Sequence, residues 1–157
     1  ININSTKSTM EDAKNYIDDF HSDVVILAEE QTKGRGRRGN KWISPKGNLY
    51  CSIALNNKIP VKEYFLFSMI TLISIKETLK KLGCNEIYFK WPNDIFFQNM
   101  KFGGIILETH NTNNNEKFVI IGMGINFLSS PKVDIYKTTF IKDFIKDFPK
   151  NTYFEIL

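Results

Sequence analysis

Two cysteines and two histidines are all that this chain of 157 residues offers to a metal or a disulfide framework, and their spacing argues against both. Cys51 and Cys84 do not form a CxxC pair, and His21 and His110 stand apart from other ligand-bearing residues. Zinc and disulfide scaffolds are therefore disfavoured, and a reduced, cytoplasmic setting is expected. Long hydrophobic runs are also missing. The most apolar stretch, residues 64–75, is too short to cross a bilayer, and no signal peptide opens the chain, so a soluble protein without a membrane partner is expected. Internal repeats are lacking as well. Arginine is the scarcest charged side chain: three arginines stand against eighteen lysines, and all three, Arg35, Arg37 and Arg38, fall inside the six residues GRGRRG.

The rest of the composition sets bounds. A hydrophobic content of 42% and an aromatic content of 13% support one sizeable core in a chain of this length, so a single domain over residues 1–157 is the expectation. The net charge of +4 suits acidic ligands or nucleic acid, but the basic residues are scattered among 17 acids, so bulk charge does not choose the partner.

Periodicity gives the elements. Met10, Ala13, Ile17 and Phe20 recur at helical spacing, and Ser8 followed by Glu11 has the form of a capping box, which predicts a helix ending near Phe20. Residues 24–28 read as a buried strand that delivers Glu29, Glu30 and Gln31 to a sheet end, and 48–55 as a second strand. A long helix over 63–82 is closed by Gly83. Strands follow at 87–91, 94–98, 102–109 and 118–126, with turns at 98–100 and 111–115, and they predict a mainly antiparallel sheet. A last amphipathic helix over 140–148 stops at Pro149.

GRGRRG invites three readings. It matches GxGxxG in form, but Asn40, Lys41, Trp42, Ile43, Ser44 and Pro45 do not begin the helix that a dinucleotide fingerprint requires. No lysine and hydroxyl pair follows at P-loop spacing either. An RGG-like nucleic-acid segment ranks below a ligand loop, because such tracts are usually longer and repeated. Arginine forks grip phosphate or carboxylate through paired hydrogen bonds, and Gly34, Gly36 and Gly39 let the backbone approach a ligand, so the segment reads as a mobile anion-binding loop that orders around its ligand.

Ser8 and Thr9, EEQ before GRGRRG, KWPND at 90–94, KFGGI at 101–105 and GMGIN at 122–126 together resemble the catalytic domain of biotin protein ligases, in that family's order and with nearly its spacing from Ser8 to Asn126. The resemblance implies an α+β domain, a mixed, mainly antiparallel sheet backed by helices, related to lipoate ligases and class II aminoacyl-tRNA synthetases. It implies a ligase that joins biotin to ATP as biotinyl-5'-AMP and transfers biotin to a lysine of biotin carboxyl carrier protein, with magnesium and without nucleic acid. It allows a homodimer as one assembly. By the same resemblance, Lys101 and Arg37 are the catalytic candidates, and Ser8, Thr9, Gln31, Arg35, Gly36, Gly103 and Gly104 join them in binding biotin. Arg38, Trp42, Lys90, Asn93 and Asn126 are the nucleotide candidates and Asp94 the metal candidate. Trp91 is read as core or pocket wall. Met10 departs from the asparagine common in the family after the Ser-Thr pair. The family's N-terminal helix-turn-helix domain and small C-terminal β-domain are both expected to be absent. A lipoate-type ligase, a non-catalytic biotin or adenylate binder and an RNA-binding module are the rival readings.

Overall fold

The computed structural model describes residues 1–56, 58–133 and 136–145. Along the chain come β1 (Asn2–Thr6), α1 (Thr9–Phe20), β2 (Val24–Gln31), β3 (Leu49–Asn56), α2 (Phe65–Lys81), β4 (Ile87–Lys90), β5 (Asp94–Phe97), β6 (Met100–Asn111), β7 (Lys117–Ile125) and α3 (Ile141–Phe144). The strands make one sheet in the order β1-β2-β3-β7-β6-β5-β4. β1 runs parallel to β2 and every other pair is antiparallel, so the mixed α+β architecture expected from sequence is the one observed.

Strand alternation divides the core into two layers. On one face, Met10, Ala13 and Ile17 of α1 pack on Val24, Ile26, Ala54, Phe118 and Ile120. On the other, Leu72, Ile75 and Leu79 of α2 and Ile141 of α3 cover Cys51, Phe102, Ile121, Met123 and Ile125. Along β7 the face toward α1 reads Phe118, Ile120, Gly122, Gly124. The first two fill the space beneath the helix, and the two glycines leave the sheet bare at its N-terminal end. A cleft opens there.

A second irregularity aims the cleft's lysine. In the β5-β6 pair, Ile95 faces Gly103 but Phe96 faces Lys101, so Phe102 is an extra residue in the register. Simple alternation from Gly104 would place Phe102 toward the cleft and Lys101 in the core. The bulge instead sends Phe102 into the core and turns Lys101 to the cleft.

Several expectations need correction. β1 was not legible as a strand, because its isoleucine and polar residues show no buried run. Ser8 occupies the N-cap position of α1, but its hydroxyl makes no capping bond, and Glu11 pairs with Arg35. The Gln31 side chain does the capping, its Oε1 accepting from the Thr9 N–H at 2.9 Å. The helix expected over 63–82 begins later, at Phe65, after a 3-10 turn over Val61–Glu63. It ends as expected, with Gly83 at φ 88° and the Cys84 N–H reaching back to the Leu79 carbonyl at 3.0 Å. β4 stops at Lys90, because Trp91 precedes a cis proline, Pro92, in a tight turn. Ile145 is already extended, which ends the last helix after one turn, and positions 146–148 of that expected helix lie outside the described residues.

Candidate active site

The cleft holds about 560 Å³ and lies between the start of α1, the glycine face of β7, the turn after β4 and the arginine loop. Among the described residues, Arg35, Arg37, Arg38, Lys41, Lys90 and Lys101 line it, against one carboxylate, Asp94. That imbalance selects an anionic ligand.

Lys101 sits at the floor. Its Nζ lies 2.8 Å from Asp94 Oδ1, and its side chain is 12% exposed. The ammonium also stands 5.4 Å from the Trp42 ring centre and 5.0 Å from that of Tyr136, within cation-π range. The same Asp94 oxygen accepts from Asn93 Nδ2 at 2.9 Å, and Asn93 Oδ1 accepts from Arg37 Nη1 at 2.9 Å. A continuous chain, Arg37-Asn93-Asp94-Lys101, therefore joins the arginine loop to the sheet. The Ile105 N–H, bonded to the Asn93 carbonyl at 2.9 Å, holds the middle of that chain against β6.

The opposite wall is polar and already paired. Gln31 Oε1 accepts from the Thr9 backbone N–H and, at 3.1 Å, from the Thr9 hydroxyl, while Gln31 Nε2 donates to Ser44 Oγ at 3.0 Å. Ser52 shares a 2.8 Å hydrogen bond with the Thr9 hydroxyl. Ser8 is buried at the cleft and its hydroxyl has no recorded partner among the described residues, which leaves it available to a ligand.

The arginine loop is more ordered than its glycines suggested. Gln31 bridges to Ser44 and Arg35 to Lys41, the Trp42 N–H bonds the Gly34 carbonyl at 3.0 Å, and Arg37–Gly39 forms a 3-10 tip. The loop is a small hairpin. Gly34 is required there, since a side chain would collide with Ser44 Oγ and the Trp42 carbonyl. Arg35 Nη2 meets Glu11 Oε1 at 2.9 Å and Glu108 Oε2 at 3.0 Å. Glu108 is also 2.9 Å from Lys14 Nζ. Burial raises the Glu108 pKa, but the Lys14 hydrogen bond and the Arg35 charge outweigh it and hold the carboxyl below its ordinary value.

Trp42 lies flat in the slot above Gly124, where a side chain would collide with its indole nitrogen. Its Nε1–H is buried without a protein partner among the described residues.

Residues 2–126 match the Biotin/lipoate A/B protein ligase family. The chain belongs to this family. Among the relatives of this family member is the bifunctional ligase/repressor BirA of Escherichia coli (strain K12), 38% identical over 111 residues, which are 70% of this chain and 35% of that protein. Another is the biotin--[acetyl-CoA-carboxylase] ligase of Paracoccus denitrificans, 30% identical over 129 residues, or 80% of this chain and 53% of that protein. The chain thus spans about a third to a half of the length of these relatives. The structure of biotin protein ligase from Aquifex aeolicus in complex with biotin and ATP superposes with a TM-score of 0.76 at 26% identity, over 99% of this chain and 65% of that one.

Most residues singled out by the biotin/lipoate ligase resemblance meet at the cleft. Ser8, Thr9, Gln31, Arg35, Gly36, Arg37, Arg38, Trp42, Lys90, Asn93, Asp94, Lys101 and Gly104 all line it. Gly103 does not, because alternation from Gly104 puts it on the core face against Ile95 and Ile125. Asn126 does not either. It is 2% exposed and its Nδ2 donates to the Thr139 carbonyl at 3.2 Å, tying the chain after β7 to the sheet. Trp91, read as core or pocket wall, lines the cleft but is 65% exposed, so it is wall and not core. Sequence reading missed Tyr136, Ile106, Gly122 and Glu108. Tyr136 arrives through the pairing of Lys101 with Thr138, for which the sequence carries no signal. Glu108 was one acid in a strand whose outward face gave no hint of an arginine opposite.

Proposed function

We propose that the cleft condenses biotin with ATP to biotinyl-5'-AMP and pyrophosphate, then passes the biotinyl group to a lysine of a biotin carboxyl carrier protein, such as that of acetyl-CoA carboxylase. The observation that carries this reading is Lys101, held at the floor of a cation-lined cleft and linked through Asp94 and Asn93 to Arg37. The likeness to biotin ligases, including one structure holding both biotin and ATP, supports the choice of substrates.

In the first step a carboxylate oxygen of biotin bonds to the α-phosphorus of ATP, and the bond from that phosphorus to the pyrophosphate oxygen breaks. Both partners are anions, so the step needs cations placed where charge accumulates. Lys101 provides one at the reacting phosphate, with Asp94 fixing its position. Arg37, steered by Asn93, provides a second, and Arg38 and Lys90 face the nucleotide's outer phosphates. Ser8, Thr9 and Gln31 hold the polar ring of biotin, with Arg35 and Gly36 closing over it and Gly104 allowing close approach. Trp42 offers the nucleobase a flat surface.

Among the described residues no cluster of three His, Cys, Asp or Glu side chains could cage a metal. Asp94 would be the protein carboxylate to hold a magnesium ion brought in with ATP. When bound, such an ion neutralises phosphate charge. In the second step the acceptor amine bonds to the biotinyl carbon and the bond to AMP breaks. The expected setting is the cytoplasm, where ATP and the acceptor meet. No helix among the described residues is long and apolar enough to cross a membrane.

The test is adenylate formation from ATP and magnesium with either biotin or lipoate. Biotin alone should support it, and Lys101→Ala should lower the rate roughly 10²- to 10³-fold. Adenylate formed with lipoate and not with biotin would move the assignment to the lipoate branch, and adenylate from neither would reject ligase activity.

A further inference from the structure

The three loop arginines are not held alike. Arg38 has no recorded side-chain partner among the described residues, and Arg37 donates to a neutral amide, Asn93 Oδ1. Arg35 alone meets carboxylates, one from α1 and one from β6. Every recorded side-chain contact of Arg35 passes through a single nitrogen, Nη2, which lies 2.9 Å from Glu11, 3.0 Å from Glu108 and 4.0 Å from Met10 Sδ. Its Nε and Nη1 have no recorded partner among the described residues, although Arg35 lines the cleft.

The carboxylates are themselves braced. Lys14 Nζ lies 2.9 Å from Glu108 and 3.5 Å from Glu11. Lys14 stands on the same helix as Ala13 and Ile17, which are fully buried in the sheet layer. Two acids and two bases cancel, so the carboxylates are shared with Lys14 and the cluster around Arg35 is neutral, not net negative. A free arginine side chain carries about 2 kcal/mol of rotamer entropy. A fork fixed at one nitrogen has already lost much of that freedom before a ligand arrives.

We infer that Glu108, seconded by Glu11, is a positioning residue for Arg35, holding one nitrogen of the guanidinium so that its remaining N–H groups are presented to the bound acid. The inference rests on the biotin ligase reading of the cleft and adds a residue pair to it. Its opposite is also concrete: carboxylates that compete with the ligand for Arg35 would weaken binding, and their removal would tighten it.

Biotin binding measured by titration calorimetry on wild type, Glu108→Gln, Arg35→Gln and the double variant separates these cases. Glu108→Gln is isosteric and should weaken biotin roughly three- to tenfold, a usual range for residues coupled in one network. The same change should cost nothing further in the Arg35→Gln background, because a positioning residue has nothing left to position there. A loss of general structure would instead appear equally in both backgrounds, and that result overturns the inference. Equal or tighter binding by Glu108→Gln overturns it too. Failure of the wild type to bind biotin would be a different outcome and would remove the underlying functional reading. Lys14→Met and Glu11→Gln, each expected to give a smaller loss of the same sign that likewise vanishes without Arg35, carry the same cycle should Glu108→Gln fold poorly.

Discussion

Gly122 and Gly124 are two residues apart on one strand face, yet a methyl group added to each would meet different neighbours. At Gly122 the nearest atoms are the Met10 thioether sulfur at 2.7 Å, the end of a flexible side chain that can swing aside, and the Ile106 Cγ2 methyl at 2.9 Å, which must also give a little. At Gly124 they belong to the rigid indole of Trp42. Gly124→Ala should therefore push Trp42 out of its slot, at a cost of about 1–3 kcal/mol, while Gly122→Ala should be milder. Tryptophan emission in a Trp91→Phe background checks this. A red shift for Gly124→Ala and little change for Gly122→Ala is expected, and identical spectra would show that the slot yields elsewhere. The same close contacts explain why glycine stands at these two positions, since a side chain there would displace Met10 or Trp42, which wall the cleft.

At the scale of elements, α1 serves both the core and the site. Its buried residues Ala13 and Ile17 fix it to the sheet, and its first turn carries Thr9 and Met10 into the cleft. Ile17→Ala leaves a cavity under the helix and should cost about 2–5 kcal/mol, read as a lower denaturation midpoint. Because Ile17 lies two turns from the cleft, ligand affinity of the folded fraction should stay within about twofold of wild type if distant sites behave independently. A large affinity loss at full folding would show that α1 is not a rigid connector. The bulge in β6 acts similarly, converting a strand's alternation into a directed lysine.

The whole molecule's response to alkali follows mainly from two adjacent residues of β3, with the Cys84 thiol, also raised by burial, adding to it. Tyr50 and Cys51 are fully buried, and burial pushes each pKa up to about 12, from 10.0 for the phenol and 9.0 for the thiol. A group whose folded pKa is raised contributes stability that is complete below its unfolded value and disappears as pH rises toward the folded one. Stability should thus hold to about pH 9 and decline from there to about pH 12. Cys51→Ala should delay the onset of that decline and Tyr50→Phe should flatten its upper part, both seen in chemical denaturation across the range. A decline of the same shape in both variants would assign alkaline unfolding to other groups.

Much of this protein follows from local pattern. The periodicity of α1 and α2, the alternation of the strands, the confinement of every arginine to one loop and the clustering of glycine with lysine in KFGGI all act over a few residues, so they could be read without coordinates. What the sequence could not determine depends on residues far apart in it. The bulge that aims Lys101 exists because β5 and β6 pair out of step. The chain Arg37-Asn93-Asp94-Lys101 spans three segments, and Gln31, not Ser8, caps α1 because β2 ends beside it. Asn126 shares its motif with cleft glycines, but the segment at 139–141 packs over it and turns it into a tether. Local pattern chose most of the elements and picked out the candidate residues, while register and packing between distant segments decided which of them line the cleft.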